Sequence, residues 1–259
     1  MTDTAKPRRS FAFLVVAICA ALVSAVLLAF LGVWQIERLR WKEALIARVE
    51  QRVGAEPVAA PGQADWSGIS RDESEYLRVQ LQGRFLNDRE TLTQAVTDLG
   101  GGYWVLTPFL TDGGFTVLVN RGFVPPDRRD PSSRPSGQIE GTTSVTGLLR
   151  LTEPGGGFLR NNDPAADRWY SRDVEEIGAK RGLGQTAPYF IDADATSNIG
   201  GWPVGGLTKI TFNNHHLIYA FTWFGLALMA LGAVWMLLRD RLGKRSAKGD
   251  AGQPRTAVS

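Results

Sequence analysis

The chain has two histidines, and they are adjacent: His215 and His216. Its single cysteine is Cys19. Between residues 37 and 212 there is neither type, which removes Ser-His-Asp and Cys-His nucleophiles and His- or thiolate-bound zinc from that region. It also removes disulfides and a Cys-based copper carrier. Carboxylates and hydroxyls remain. Asp163, Asp167, Asp173, Glu175 and Glu176 form a modest acidic cluster. A paired-carboxylate hydrolase needs two acids converging in a pocket, whereas acids on a helix and its flanking loop are ordinarily a solvated face. The expectation is a protein that is not an enzyme.

The histidines have telling neighbours. Tyr219, Ala220 and Trp223 follow His216 by three, four and seven residues and share its helical face, with Ala227 continuing the stripe. An ionisable side chain just inside a membrane marks a functional position, and a neutral imidazole between flat aromatic walls in lipid is what haem iron accepts. The bland alternative is an interfacial pair with Asn213 and Asn214 capping the helix. The residues alone leave both open: haem or another lipophilic ligand, and plain anchoring.

The elements that position these residues follow from the distribution of charge. Phe11–Ile36 and Asn213–Leu238 hold no charged residue, and each is 26 residues long. As helices they span roughly 39 Å, enough for a hydrocarbon core of about 30 Å. In lipid each must satisfy its own backbone, so both are expected to be transmembrane helices. The first run is too long for the apolar segment of a cleaved signal and lacks an A-x-A site before a polar start, so a retained anchor is expected. The tail of residues 1–10 has net charge +2 and the tail 239–259 net charge +4, leaving −3 for the middle. The positive-inside rule then places both termini in the cytoplasm of a bacterial-type inner membrane, with 37–212 as a periplasmic domain. Arg38, Arg40, Lys42, Arg48 and Arg52, mixed with Glu37, Glu43 and Glu50, pull against that orientation.

Both spans begin or end at one membrane depth, which sets Gly32, Trp34, Gln35 and Arg38 level with His216 and Tyr219. Alanines 17, 21, 25 and 29 form an i+4 stripe that admits a second helix closely, or serves simple self-packing. A tight hairpin would bring His216 near Trp34 and Arg38, and Arg38 could meet an anionic group such as a propionate. An aromatic belt is the plain account of Trp34 and Trp41.

Within 37–212, Arg38–Gln51 has the spacing of an amphipathic helix running on from the first span. Period-two runs predict strands over 75–85, 103–110, 115–125 and 142–151, a final strand over 187–191, and a hairpin at Thr111-Asp112-Gly113-Gly114. Pro57–Gly68 and Pro126–Gln138 read as loops. Trp169–Lys180 reads as a short helix capped by Ser171 or Asp173. The fold class expected is therefore a membrane protein whose two-helix hairpin flanks an α+β extramembrane domain on an antiparallel sheet.

The motifs then carry a resemblance. LGVWQIERLRWKEALI (31–46) resembles the G-x-W-Q-x-x-R-x-x-W-K hallmark of the surfeit-locus-1 family of cytochrome oxidase assembly factors. NNHHLIYAFTWFGLALM (213–229) resembles its second-span signature, N-x-H-L-x-Y-x-x-T-W-[FY]-G-L. VLVNRGFVP (117–125) and RWYSRD (168–173) match in the expected order, with Phe123 where many members have tryptophan. The resemblance implies a bacterial inner-membrane member that binds haem a and assists its insertion into subunit I of the haem-copper oxidase. His216 occupies the position of the implicated iron ligand, with His215 an extra neighbour. Gln35 lies in the first hallmark, Trp34, Tyr219 and Trp223 would wall the porphyrin, and Arg38 would meet a propionate. Subunit I, haem a synthase and membrane lipid are the implied partners, nucleic acid is not, and Arg121 is a candidate contact or a structural anchor for its turn. The alternative is a cofactor-free scaffold that stabilises an oxidase intermediate by protein contacts.

Overall fold

In the computed structural model the described residues are 11–157, 159–196, 198–210 and 212–250. The basic N-terminal tail, with Lys6, Arg8 and Arg9, and the end of the C-terminal tail lie outside them. The elements are α1 (Phe11–Gly54), β1 (Val58–Ala59), α2 (Arg71–Ser74), β2 (Arg78–Phe85), β3 (Thr91–Thr97), β4 (Gly100–Thr111), β5 (Thr116–Val124), β6 (Thr143–Leu151), α3 (Val174–Lys180), β7 (Thr186–Ala193) and α4 (His216–Asp250). They divide into two compact units, Ala47–Thr211 and the described residues on either side of it.

The first unit is a pair of long helices. Both α1 and α4 are long and apolar enough to cross a membrane, with windows of mean hydropathy 3.0 and 1.9. The predicted first span and the amphipathic segment after it form one uninterrupted helix of 44 residues. Nothing in FLGVWQIERLRW would break it: no proline intervenes, and Leu, Gln, Glu and Arg all favour helix. Likewise α4 runs on past Leu238 into the tail.

The two helices pack antiparallel. Arg241 lies over the ring of Phe11, Phe224 lies against Gly32, and His216 meets Gln35, so α4 descends as α1 rises. The covered positions on α1 follow the alanine stripe, with Ala25 buried and Ala17, Ala21 and Ala29 half-buried. On α4, Ala220, Ala227 and Val234 are buried at a strict seven-residue interval, the seam expected of a left-handed helix pair. Apolar association gains little in lipid, so close van der Waals approach of small residues holds such a pair. Gly32 shows the need: a Cβ there would stand 2.7 Å from the Phe224 ring.

The second unit is a sheet of seven strands in the order β1-β2-β6-β7-β5-β4-β3, in which β2 also pairs with β4. That extra pairing closes β2, β6, β7, β5 and β4 into a five-stranded barrel, with β1 and β3 appended. Closure happens at Gly83, which pairs with Thr143 of β6 and Thr111 of β4. A Cβ at Gly83 would sit 2.1 Å from the Leu110 carbonyl oxygen, so only glycine lets the strand pass between its two neighbours.

The expected strands and the 111–114 turn are present, and the sheet is antiparallel except where β1 meets β2 and β5 meets β7 in parallel. The parallel β5–β7 pair requires a crossover, and α3 lies within it. Three elements were unforeseen, β1, α2 and β3. The loop over 126–138 holds three short 3-10 turns, at Pro126–Arg128, Pro131–Ser133 and Pro135–Gly137.

The core has two layers. Val79, Phe109, Val117, Val119, Leu149, Tyr189 and Ile191 fill the barrel interior. Leu106, Leu118, Trp169, Val174, Ile177 and Phe190 form a second cluster beneath α3. Strand β5 lies between them, so all nine of its residues are buried. Its Val117 and Val119 face one cluster and Leu118 the other, as the period of two requires. Trp169 of the RWYSRD motif is 1% exposed, and its indole Nε1 donates to Asp167 Oδ1 at 2.7 Å.

Candidate functional site

At the start of α4, His216 is half-buried and its ring is turned to the neighbouring helix. Its Nδ1 lies 2.7 Å from Oε1 of Gln35. Gln35 belongs to the covered stripe of α1: it is 9% exposed and lies one turn beyond Gly32. A buried amide in lipid needs a partner, and the close approach permitted by Gly32 brings His216 within its reach.

Gln35 Oε1 is an acceptor, so the contact is one in which Nδ1 donates. Nε2 has no protein partner among the described residues. A metal-ligating imidazole is held in this way, with the far ring nitrogen bonded to a carbonyl or carboxylate oxygen. Two residues earlier, Asn214 Oδ1 is buried without a hydrogen-bond partner. It caps nothing, so the predicted capping role of Asn214 is not what the structure shows.

The other predicted residues are distributed around this pair. His215 is exposed, and its carbonyl accepts from the Tyr219 N–H at 3.3 Å. Trp34 is 48% and Tyr219 54% exposed, facing outward from the helix pair, and Trp223 is half-buried. Arg38 lies over the ring of Trp41, 4.1 Å from its centroid. The structure therefore unites His216 with Gln35, whereas Trp34 and Arg38 make no hydrogen bond to the imidazole. One signal could have singled out Gln35: it follows Leu28 by seven residues and Gly32 by three, on the covered face of α1.

Arg121 is 2% exposed, which corrects its reading as a partner contact. Its guanidinium lies over the Phe85 ring and donates to the Gly137 carbonyl and to Asn198 Oδ1, so it ties the 126–138 loop and the 198–203 segment to β5. Burial pulls its pKa down to about 10, against the raising influence of Glu90. Glu90 is itself held by the buried Arg134 through paired hydrogen bonds.

Four of the five acids in the cluster are engaged in structure, and Glu175 is exposed. Asp173 caps α3 by accepting from the Glu176 N–H. Glu176 accepts from Asn162, Asp163 pairs with Arg168 at 2.6 Å, and Asp167 takes bonds from Trp169 and Arg181. The Arg168 hydrogen bond and the Ala166 N–H hold Asp163 below the usual carboxylate range.

Sequence reasoning missed the most heavily bonded carboxylate. Asp192 of β7 is 3% exposed and accepts from Asn120 (2.7 Å), Arg172 (3.0 Å), Arg150 (2.9 Å) and Thr208 (3.0 Å). Glu153 pairs with both arginines. Burial lowers the Arg172 pKa, but Asp192 and Glu153 outweigh it and leave the value raised.

A model of the SURF1 family matches residues 22–228, which takes in Gln35, the whole barrel and His216. Surfeit locus protein 1 of Homo sapiens is 40% identical over 214 residues, covering 76% of this chain and 69% of the human protein. The SURF1-like protein of Monosiga brevicollis is 40% identical over 241 residues, covering 87% of this chain and 89% of that protein. The SURF1-like protein of Caenorhabditis briggsae is 33% identical over 223 residues, with 78% and 68% covered. These organisms are eukaryotes, so the expected bacterial membership is not borne out.

Proposed function

The chain belongs to the SURF1 family, known as cytochrome c oxidase assembly factors, and we propose that it binds haem a at the outer end of its helix pair and assists insertion of that haem into oxidase subunit I. The observation supporting this reading is the 2.7 Å contact between His216 Nδ1 and Gln35 Oε1. It holds the ring through Nδ1 and leaves Nε2 without a protein partner, available to iron. The buried, unpartnered Asn214 Oδ1 adds an acceptor beside it. The donor set fits a haem held as cargo. One neutral imidazole is a weaker hold than two, and a carrier has to release what it carries.

Trp34, Tyr219 and Trp223 offer aromatic surface to a porphyrin, and Arg38 offers a cation for a propionate. Haem a supplies redox and oxygen chemistry only after delivery; here the chain's residues bind, orient and shield it. The membrane is an inner membrane carrying the oxidase, with both basic ends of the chain on one side of it. Subunit I receives the haem, and haem a synthase is its source.

The test is an optical spectrum of the full chain purified from cells that make haem a. Wild type should show a Soret band that is lost in His216→Ala and retained in His215→Ala. Absorbance that survives removal of both histidines refutes ligation by this site. Function would then rest on protein contacts alone, the cofactor-free scaffold.

A further inference from the structure

We propose that the open edge of β3 at Val96 receives an extended, acidic segment of a partner protein as an added strand. The inference concerns the barrel and stands whether or not haem binds the helix pair. It begins with β3 itself, which pairs on one side only, with β4. Part of its other edge is filled within the chain: Thr93 bridges Trp169 in parallel, and the Gln94 N–H donates to the Trp169 carbonyl at 2.9 Å. In an antiparallel ladder, N–H and C=O of alternate residues point the same way. Val96, two residues beyond Gln94, therefore turns its N–H and C=O to the same edge. Neither has a partner among the described residues.

Natural sheet edges are guarded by lysine, proline, bulges or brevity. No proline or bulge guards β3 at this edge, and the lysine beside it, Lys209, is held by Asp98. The Val96 side chain is 89% exposed. The nearest carboxylate in sequence, Asp98, is bound by Lys209 at 2.6 Å. Opposite Val96 stands Gly101, where a Cβ would meet nothing within 4 Å, so packing does not demand glycine there. Glycine in a strand without a packing reason suits the close approach of another backbone.

Beside the edge lies a cavity of about 540 Å³. Tyr103 and Tyr170 line it, with Arg129 lying 5.2 Å from the first ring centroid and Arg160 lying 5.4 Å from the second. Arg160 is the one charged side chain among its described lining residues. Within the short Gly157–Arg160 turn at this rim, Leu159 is 88% exposed at a left-handed φ of 57°. A leucine held in that conformation and offered to solvent is strained and unburied at once.

Main-chain groups, alternate side-chain pockets and a rim of one charge are the elements of strand addition. The arginines select an acidic segment, and the exposed valine and leucine select apolar residues between its acids. A second copy of this chain suits the edge less well, because pairing β3 with itself opposes the arginine rims. A lipid surface offers no donors or acceptors in register with a strand.

The test uses the full chain in nanodiscs of neutral lipid and hydrogen exchange read at the Val96 amide. One probe is a short synthetic peptide alternating valine or threonine with glutamate; the other has lysine in place of glutamate. The acidic peptide should slow exchange about tenfold or more in a salt-sensitive way, and the lysine peptide should not. Val96→Pro removes only the outward N–H, so it should abolish the effect while the β3–β4 ladder stays protected. Val96→Asp keeps the N–H but repels the acidic peptide, and Arg160→Glu should shift preference to the lysine peptide. Failure of the acidic peptide to protect Val96 overturns the proposal, as does undiminished binding by Val96→Pro. Equal protection by anionic vesicles assigns the edge to a membrane, and concentration-dependent protection without peptide assigns it to self-pairing; either outcome also overturns it. The Soret band of Val96→Pro should match wild type, so failure here leaves the haem reading intact.

Discussion

Replacing Gln35 with leucine keeps the volume of the side chain and its place on the covered face of α1, but takes away the acceptor 2.7 Å from His216 Nδ1. The imidazole N–H would then lie half-buried without a partner, at a cost of about 1–3 kcal/mol. The ring would also be free to rotate and to carry its proton on Nε2, the nitrogen needed by iron. At 1.4 kcal/mol per decade this amounts to roughly a 5- to 150-fold loss of haem affinity, in line with the 10- to 100-fold typical of partners that orient ligating histidines. The measurement is a haem titration of the purified full chain in detergent, followed at the Soret band. Gln35→Glu separates orientation from bulk: a carboxylate accepts the same proton, makes the imidazole a stronger ligand, and should bind haem at least as tightly as wild type. Gln35→Leu within a factor of about two of wild type, or Gln35→Glu as weak as Gln35→Leu, would show that the contact does not prepare the ligand.

Two further outcomes follow from the packing and the electrostatics. Gly32→Leu drives a side chain into the Phe224 ring, which already lies 2.7 Å from an ideal Cβ, and should destabilise the helix pair by about 1–3 kcal/mol; a lowered thermal midpoint in detergent with concurrent loss of haem checks it. For Asp167, burial raises the pKa, but hydrogen bonds from Trp169 and Arg181 outweigh this and hold it below the ordinary value. Its folded pKa is thus lower than its unfolded one, so its contribution to stability is complete above the unfolded pKa and is lost as pH falls through the folded one. The carboxylate is nearly half exposed, so screening keeps the contribution below about 1 kcal/mol. Asp167→Asn should flatten the acid side of the stability profile without steepening it elsewhere, as read by thermal midpoints between neutral pH and about pH 3.

The helices and most strands were legible because their hydrophobic periods are strong. Twenty-six uncharged residues leave no choice but a span, and alternation in YLRVQLQGRF or VLVNRGFVP marks strands. Strand β3 escaped because its inward residues are Thr91, Thr93 and Ala95, while Leu92 and Val96 point outward. Its alternation is the reverse of the hydrophobic one. The parallel β5–β7 pair was equally hidden, since pairing partners are set by closure at Gly83 and by α3, far away in sequence. Arg121 left two readings open, a partner contact and an anchor for its turn; it is buried because a guanidinium over Phe85 can hold two loops at once.

The site was legible to the level of the helix, not the side chain. Membrane depth alone put four residues of α1 level with His216, and their aromatic and charged chemistry drew attention to Trp34 and Arg38. The structure selects Gln35, and polarity in lipid explains the choice. Tryptophan and arginine at a membrane boundary can turn toward headgroups, so they need no partner within the bundle. A glutamine on the covered stripe cannot turn away, and the imidazole opposite has the one donor that satisfies it. The same reasoning separates the two histidines: His215 is exposed, whereas the His216 ring is held through Nδ1 by Gln35. Preorganisation of that kind lowers the cost of binding, and under the proposed haem reading a single axial imidazole would keep the hold reversible.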